Sequence, residues 1–148
     1  MTQVSPYMIR AARSADAAQV ADLLAELGYP TTTGDAQHRL ARLLARDDAG
    51  VLVADAAGEV IGVAAYQLLE LLERAQPQCR LTALVVRADT RRLGVARALV
   101  ADVEALARAH GCFRVEVTTR ASREDALDFY TAAGFTVRPH RLVKVLDR

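Results

Sequence analysis

The sequence has few of the side chains that build metal or redox centres. Its two cysteines, Cys79 and Cys112, lack metal-ligand or redox-motif spacing, and its three histidines form no recognisable ligand pair. We therefore predict no bound metal. Thiols without such spacing are typical of reduced cysteines in the cytoplasm.

Long apolar runs and an excess of one charge are also missing. No stretch approaches the roughly 20 apolar residues of a membrane-spanning helix. The opening residues MTQVSPYMIR lack the apolar core of a signal peptide. With 19 Lys and Arg against 18 Asp and Glu, the net charge is +1, which argues against nucleic-acid binding through a basic face. We expect a cytoplasmic protein with neither a membrane nor a nucleic acid as partner.

The most informative pattern is a short strand, a basic loop containing glycine, and an amphipathic helix. Residues 81–86 read LTALVV, residues 91–96 read RRLGVA, and apolar residues then recur at helical spacing. The first amides of a helix lack internal partners and attract anions. Gly94 lets a ligand approach the backbone, and Arg91 and Arg92 add charge-assisted hydrogen bonds worth roughly 1.5–3 kcal/mol each. The pattern predicts a phosphate-binding loop.

Two other phosphate-binding motifs are absent from the sequence. It contains no G-x-x-x-x-G-K-[ST] and no G-x-G-x-x-G after a strand. These absences argue against binding of nucleoside triphosphates and dinucleotides.

Two blocks resemble the GCN5-related N-acetyltransferase (GNAT) family. Residues 91–96, preceded by Leu84, Val85 and Val86, resemble the loop that binds the acetyl-CoA pyrophosphate in that family. Residues 126–135, ALDFYTAAGF, resemble the family segment A-x-x-x-Y-x-x-x-G-F. Because the two blocks occur in the family's order, separated by a helix and a strand, the resemblance is specific over residues 81–135.

The hydrophobic pattern and the resemblance together predict an α/β fold with a mixed sheet covered by helices. At 148 residues the chain is expected to form a single domain over residues 1–148, with residues 1–7 as a loose leader. The predicted order is β-α-α-β-β-β-α-β-α-β-β. Ser14 is expected to cap the first helix and Gly28 to end it, and residues 135–137 and 142–146 are expected to form the last two strands.

The resemblance implies which residues hold acetyl-CoA, the expected co-substrate. In the family, main-chain groups of the strand before the loop bind the pantetheine arm and polarise the thioester carbonyl. The residues that correspond to cofactor-binding positions are Leu84, Val85, Val86, Arg91, Arg92, Leu93, Gly94, Val95, Ala96 and Arg97.

The resemblance also implies a general acid, whereas the general base stays open. Tyr130 matches the family tyrosine that protonates the departing thiolate; aromatic core packing is the competing interpretation. A phenol with a pKa near 10 stays protonated at neutral pH and can donate to a thiolate. Many members carry a glutamate where this chain has Thr82 and Ala83. Glu70, Glu73 or a water chain are the alternatives.

A departure from the common family pattern concerns the acceptor. Many members have Asn seven residues before the tyrosine, whereas this chain has Arg123, and a late Lys144 precedes Val145 and Leu146. This arrangement resembles the aminoalkylphosphonate acetyltransferases. Arg123 is therefore a candidate substrate-binding residue, with a structural role in the helix as the alternative.

The leading hypothesis is an acetyl-CoA-dependent N-acetyltransferase that transfers acetyl to a primary amine of a small molecule by direct attack in a ternary complex. The missing glutamate favours a second hypothesis, a non-catalytic acyl-CoA-binding or sensing domain. A homodimer is expected because dimers are common in the family.

Overall fold

The computed structural model describes residues 6–118 and 124–146, with only the main chain described at residues 91, 92 and 124. Two compact units divide the chain, Met1–Thr118 and Thr119–Arg148. In chain order the described elements are β1 (Met8–Ala11), a 3₁₀ helix (Ser14–Asp16), α1 (Ala17–Leu27), α2 (Thr33–Leu44), β2 (Ala49–Ala56), β3 (Glu59–Leu69), β4 (Gln78–Val86), a second 3₁₀ helix (Ala88–Leu93), α3 (Val95–Ala109), β5 (Val115–Val117) and α4 (Glu124–Ala132). The prediction of one domain over residues 1–148 stays a prediction.

The first unit contains a five-stranded mixed sheet in the order β1-β2-β3-β4-β5. Pairing is antiparallel from β1 to β4 and parallel between β4 and β5. The turn from β2 to β3 uses Ala57 and Gly58, whose φ angles are 53° and 96°. Positive φ at both central residues matches the strand twist of a tight hairpin. The hairpin predicted at Ala57 and Gly58 is therefore present.

The helices of the first unit cover both faces of the sheet. Val63 packs in one apolar cluster with residues of α1 and α2, whereas a Cβ on the neighbouring Gly62 would meet Val95 and Leu99 of α3. Successive strand residues point to opposite faces, so α1 and α2 lie on one face and α3 on the other. This arrangement confirms the predicted α/β class with a helix-covered mixed sheet.

Side-chain ion pairs connect β1 to the first 3₁₀ helix and to β2. The Arg10 guanidinium donates to both oxygens of Asp16, at 2.8 and 2.9 Å, and to Asp55 at 3.0 Å. Asp16 also accepts the Arg13 backbone N–H at 2.7 Å. The Arg10 guanidinium lowers the pKa of the Asp16 carboxyl. Ser14, predicted to cap the first helix, instead opens the 3₁₀ helix, because the Asp16 carboxylate takes the amide at this helix start.

The ends of the next helices follow the sequence signals. Gly28 ends α1 with a φ of 105°, as predicted. At the start of α2, Thr32 Oγ1 accepts the Asp35 N–H at 3.0 Å, and Asp35 accepts the Thr32 N–H at 3.4 Å. This reciprocal pair is a capping box, and it fixes where α2 begins.

The two last predicted strands, residues 135–137 and 142–146, are not strands in the structure. These residues form neither helix nor strand, and Leu142 and Val145 are 91% and 84% exposed. A short apolar run becomes a strand only when a neighbouring strand takes its backbone hydrogen bonds. No described strand pairs with these residues. The predicted order is therefore wrong at its last two elements.

Candidate functional site

The strand β4 changes its pairing halfway along its length. Residues 79–81 pair with β5 on one side and with β3 on the other. At Thr82 the β3 register skips a residue, with Leu81 opposite Tyr66 and Ala83 opposite Ala65. Within the described parts of the chain, residues 83–86 pair with β3 alone, and Thr82 is the unpaired extra residue. We call residues 78–81 the paired half of β4 and residues 82–86 the open half.

An open half-strand leaves backbone donors and acceptors without strand partners on one edge. An unpaired edge is a template for any ligand with amide-like groups, because it offers alternating N–H and C=O groups at regular spacing. The side chains contribute differently. Val85 is 7% exposed and belongs to the apolar cluster with α1 and α2, whereas Leu84 and Val86 are half-buried.

The loop after β4 leads directly into the start of α3. The second 3₁₀ helix includes the main chain of Arg91 and Arg92 and ends at Leu93. Gly94 follows with a φ of 73°, and a Cβ there would meet nothing within 4 Å. The open space agrees with the prediction that Gly94 lets a ligand approach the backbone. Its positive φ is a conformation that glycine adopts more readily than other residues.

The N-terminus of α3 carries no negative charge in its first turn. No side chain caps it in the described part of the chain, and no acidic residue lies in its first turn. The helix is 15 residues long, so its aligned peptide dipoles place partial positive charge at Val95, Ala96 and Arg97. The Arg97 side chain is exposed. Together these features favour an anionic ligand at this helix end.

Gly62 of β3 lets the helix end approach the open half of β4. A Cβ on Gly62 would lie 2.9 Å from Val95 Cγ1, 3.1 Å from Leu99 Cδ1 and 3.4 Å from Val86 Cγ2. Val95 itself is fully buried. The close packing at Gly62 thus brings Val86 of the strand and Val95 of the helix together. A glycine among apolar strand residues, such as Gly62, often indicates that another part of the chain packs closely against the strand. The sequence predictions did not include this position.

The structure does not bring Glu70 and Glu73 to this loop. Both lie in the exposed turn between β3 and β4, before the paired half begins. At about 3.3 Å per residue, the nine residues of β4 separate that turn from the start of α3. The Glu70 charge instead contributes to raising the pKa of the Cys112 thiol, after desolvation of that thiol.

A different carboxylate lies at the loop end of β4. Glu26, near the end of α1, accepts the Ala88 backbone N–H at 3.3 Å. Ala88 begins the second 3₁₀ helix, two residues after β4 ends. Glu26 was not among the predicted site residues, because nothing in the local pattern of α1 separates it from other exposed helix residues.

In the second unit, Tyr130 is packed between two aromatic rings. Its ring makes edge-on contacts with Phe129 at 5.1 Å and with Phe135 at 5.4 Å between centroids. Tyr130 is 8% exposed, and burial raises the pKa of its hydroxyl to about 12. These contacts are those of an aromatic core residue, and the raised pKa keeps the hydroxyl protonated at neutral pH. Arg123, the candidate substrate residue, lies outside the described residues.

A cavity of about 200 Å³ lies between α1, α2 and the sheet. Its lining is aliphatic, with Leu24 from α1, Leu40 from α2 and Val63 from β3 among the contributors. The polar side chains of the lining are those of Arg39 and Thr82. Ala83 also lines the cavity, so its wall includes the first residues of the open half of β4.

Metal-binding clusters and membrane-spanning helices are not found in the described ranges. No group of three or more His, Cys, Asp or Glu side chains among residues 6–118 and 124–146 has the geometry to hold a metal ion. Over the same residues, no helix has the length and apolarity needed to cross a bilayer.

The geometry of the strand, loop and helix agrees with the family comparison. The Acetyltransferase (GNAT) family matches this sequence over residues 17–135. Since the match covers most of the chain, the protein belongs to the GNAT acetyltransferase family.

Individual relatives are more distant. The N-terminal acetyltransferase B complex catalytic subunit naa20 of Schizosaccharomyces pombe is 38% identical over 56 residues, which are 38% of this chain and 31% of that protein. The solved aminoglycoside N-acetyltransferase AAC(6')-Iy in complex with CoA has a TM-score of 0.85 at 20% identity, over 100% of this chain and 99% of its own. A GNAT family acetyltransferase of Staphylococcus aureus has a TM-score of 0.82 at 22% identity, over 95% and 99%. The two structural matches show the shared fold.

Proposed function

We propose that this protein is an acetyl-CoA-dependent N-acetyltransferase that acetylates a primary amine of a small molecule by direct attack in a ternary complex. The observation that carries the proposal is the open half of β4 next to the uncapped, glycine-led start of α3. A strand edge and a helix N-terminus in this order match the amide-containing arm and the pyrophosphate of coenzyme A. Acetyl-CoA supplies the acetyl thioester that the amine attacks.

The residues around the loop fit such a ligand. Gly94 offers open space at the backbone, and the first-turn amides of α3 carry partial positive charge without a side-chain cap. Leu84, Val85 and Val86 contribute main-chain groups, so their aliphatic side chains are no obstacle. Arg91, Arg92 and Arg97 are proposed to add charge around the phosphates, with Leu93, Val95 and Ala96 shaping the loop.

The transfer forms one C–N bond, breaks one C–S bond and moves two protons. The attacking ammonium loses two protons and the departing sulfur gains one, so one proton is released to solvent. We propose that water accepts the amine proton, because none of the described residues that line the cavity is acidic and Glu70 and Glu73 lie beyond the other end of β4. At the loop end, Glu26 accepts from the Ala88 backbone, whereas Asp89 and Glu59 are both paired with Arg87.

Tyr130 is the proposed donor to the sulfur, as the family resemblance implies. A hydroxyl with a pKa near 12 is a proton donor and not a base at neutral pH, which suits this role. The competing role is packing with Phe129 and Phe135. The Tyr130→Phe substitution removes the hydroxyl but keeps the ring, so it distinguishes proton donation from packing.

The second candidate function is a non-catalytic acyl-CoA sensor. It is favoured by one observation: the residues of the described chain that line the cavity beside β4 include no carboxylate. A sensor needs the loop and the open half of β4 but no route for protons.

Calorimetry with acetyl-CoA and thiol release over a panel of primary amines test both candidates. The proposed function requires acetyl-CoA binding and amine-dependent release of coenzyme A. Binding with no release for any amine supports the sensor instead. Absence of acetyl-CoA binding contradicts both candidates. The acceptors named for relatives, such as aminoglycosides, belong in this panel, together with amino acids and aminoalkylphosphonates.

A further inference from the structure

The cavity between α1, α2 and the sheet has the size of one apolar side chain or ring. Its volume of about 200 Å³ is somewhat larger than the roughly 150 Å³ of an apolar cavity that binds benzene. Val20, Ala36 and Leu40 line it and are buried, whereas Arg39 and Thr82 are exposed. The cavity is therefore apolar at its floor and reaches solvent where these two polar residues lie.

The charge at this cavity is positive. Arg39 contributes a guanidinium to the lining, and the lining residues that the structure describes include no acidic one. Within residues 6–118 and 124–146, Arg39 forms no salt bridge. Asp35, one helical turn earlier, is engaged by the Thr32 cap, and the Arg39 charge is a smaller cause of the lowered pKa of the Asp35 carboxyl. A polycationic acceptor would meet repulsion here, whereas an acceptor with a carboxylate would gain a charge-assisted hydrogen bond.

The cavity adjoins the segment of β4 that we assign to the thioester. Thr82 and Ala83 line the cavity, and Leu84 is the next residue along the strand. An acceptor whose apolar part fills the cavity therefore holds its polar end near the open half of β4. Cavity, guanidinium and strand edge together match a molecule that carries an apolar group, a carboxylate and an amine.

We propose that the acceptor is an α-amino acid with a large apolar side chain, which fills this cavity while Arg39 binds its carboxylate. The proposal rests on the proposed function and assigns its substrate class. Arg39 is then a specificity residue, because it touches the acceptor but not the acyl group. The uncharged floor selects the side chain by apolar burial.

Paired substrates test the two contacts separately. Thiol release is measured with L-phenylalanine, L-leucine, phenethylamine, glycine and an aminoglycoside, in the wild type and in two variants. Arg39→Gln removes the charge, and Ala65→Leu, on the β3 wall, fills the cavity. Arg42→Gln is the matched control, since Arg42 lies on the same helix and is exposed but does not line the cavity. Acetyl-CoA affinity and thermal melting are recorded for every variant.

The expected pattern is specific. The wild type favours phenylalanine or leucine over glycine and the aminoglycoside. Arg39→Gln lowers kcat/KM for phenylalanine at least about tenfold but leaves phenethylamine, which lacks the carboxylate, nearly unchanged. Ala65→Leu lowers kcat/KM for both phenylalanine and phenethylamine, with acetyl-CoA affinity retained. Arg42→Gln changes neither substrate.

The opposing outcomes are equally distinct. Preference for the aminoglycoside, or equal losses for phenylalanine and phenethylamine in Arg39→Gln, overturns the acceptor class while the acetyltransferase survives. Acetyl-CoA binding without release for any amine also overturns the acceptor class and supports the sensor. A wild-type protein that does not bind acetyl-CoA overturns the proposed function, and this inference falls with it. If Ala65→Leu fails to fold, the acceptor class is tested by comparing phenylalanine with phenethylamine in Arg39→Gln.

Discussion

The two halves of β4 belong to one strand and have different tasks. In the paired half, Gln78 is 2% exposed, accepts from Arg114 Nε at 2.7 Å and donates to Glu116 at 3.3 Å. Arg80 also donates to Glu116, at 3.0 Å. In the open half the strand has no described partner on the β5 side. The first half is satisfied within the protein, and the second is the edge that we propose for acetyl-CoA.

The change from one half to the other occurs at Thr82. The extra residue there shifts the register against β3, and pairing with β5 ends at Leu81. An extra residue in a strand disrupts the ladder locally and increases the twist. The edge that we propose for acetyl-CoA is thus a consequence of sheet geometry. Changes in the open half should then affect function, and changes in the paired half should affect stability.

The largest expected effect is that of Tyr130→Phe on kcat of the proposed acetyl transfer. The substitution keeps the ring contacts with Phe129 and Phe135 and removes only the hydroxyl. If the hydroxyl protonates the leaving sulfur, kcat falls about 10²-fold or more while acetyl-CoA affinity stays within about twofold. Steady-state kinetics and calorimetry measure the two quantities. Full kcat would return Tyr130 to a packing role.

Gly94→Val is expected to weaken acetyl-CoA binding at least about tenfold, because it puts a branched side chain at the open backbone. A non-glycine residue in this left-handed conformation also costs about 1–2 kcal/mol of folding free energy. Gly111→Val is the matched control, since Gly111 has the same φ of 73°, equally open surroundings and a place just beyond the other end of α3.

The two glycine variants should therefore lose similar stability in thermal melts and differ in calorimetry. Gly94→Asn adds a side chain that tolerates this backbone conformation, so it should weaken binding with a smaller loss of stability. Equal acetyl-CoA affinity in Gly94→Val and Gly111→Val would contradict the assignment of the loop.

In the paired half, Gln78→Leu should destabilise the protein by about 1–3 kcal/mol, because it removes the two hydrogen bonds that the buried Gln78 side chain makes with the charged groups of Arg114 and Glu116. Acetyl-CoA affinity should not change. Arg80→Gln removes a partly exposed ion pair with Glu116 and should cost no more than about 1 kcal/mol. Urea unfolding of both variants gives the comparison. A loss of acetyl-CoA affinity in a folded Gln78→Leu protein would contradict the proposal that only the open half of β4 binds acetyl-CoA.

The smallest effects are expected for the glutamates beyond the paired half. Glu70→Gln and Glu73→Gln should each change kcat/KM by less than about tenfold, whereas loss of a general base typically costs 10²–10⁴-fold. Glu26→Gln, at the loop end, is measured beside them. If water accepts the proton, its effect is also below about tenfold. A fall of 10²-fold at Glu70 or Glu73 would mean that the far turn reaches the acceptor.

Local sequence signals predicted the parts of the fold that depend on neighbours in the chain. The helix stop at Gly28, the hairpin at Ala57 and Gly58 and the strand–loop–helix around Gly94 all rest on residues within a few positions of one another. The strands predicted for residues 135–137 and 142–146 failed because a strand needs a partner, which a local pattern does not supply.

The candidate site was predictable only in part, for the same reason. The loop glycine and the strand before it were visible in sequence, and the tyrosine came from the family resemblance. The cavity joins residues from two helices and three strands, and Glu26 meets Ala88 across a long stretch of chain. Such contacts arise from the packing of distant segments, so the spacing of neighbouring residues in the sequence does not predict them. Glu70 and Glu73 are near the open half in sequence but are separated from it by the extended paired half.

Amide hydrogen exchange with and without acetyl-CoA, followed residue by residue by NMR, tests the central claim most directly. The account predicts slower exchange on binding for the amides of residues 82–86 that have no β3 acceptor, and for Val95, Ala96 and Arg97 at the start of α3. Residues 78–81 should exchange at the same rate in both states. Equal slowing in both halves of β4, or slowing confined to other parts of the chain, would contradict the assignment of the open half as the acetyl-CoA edge.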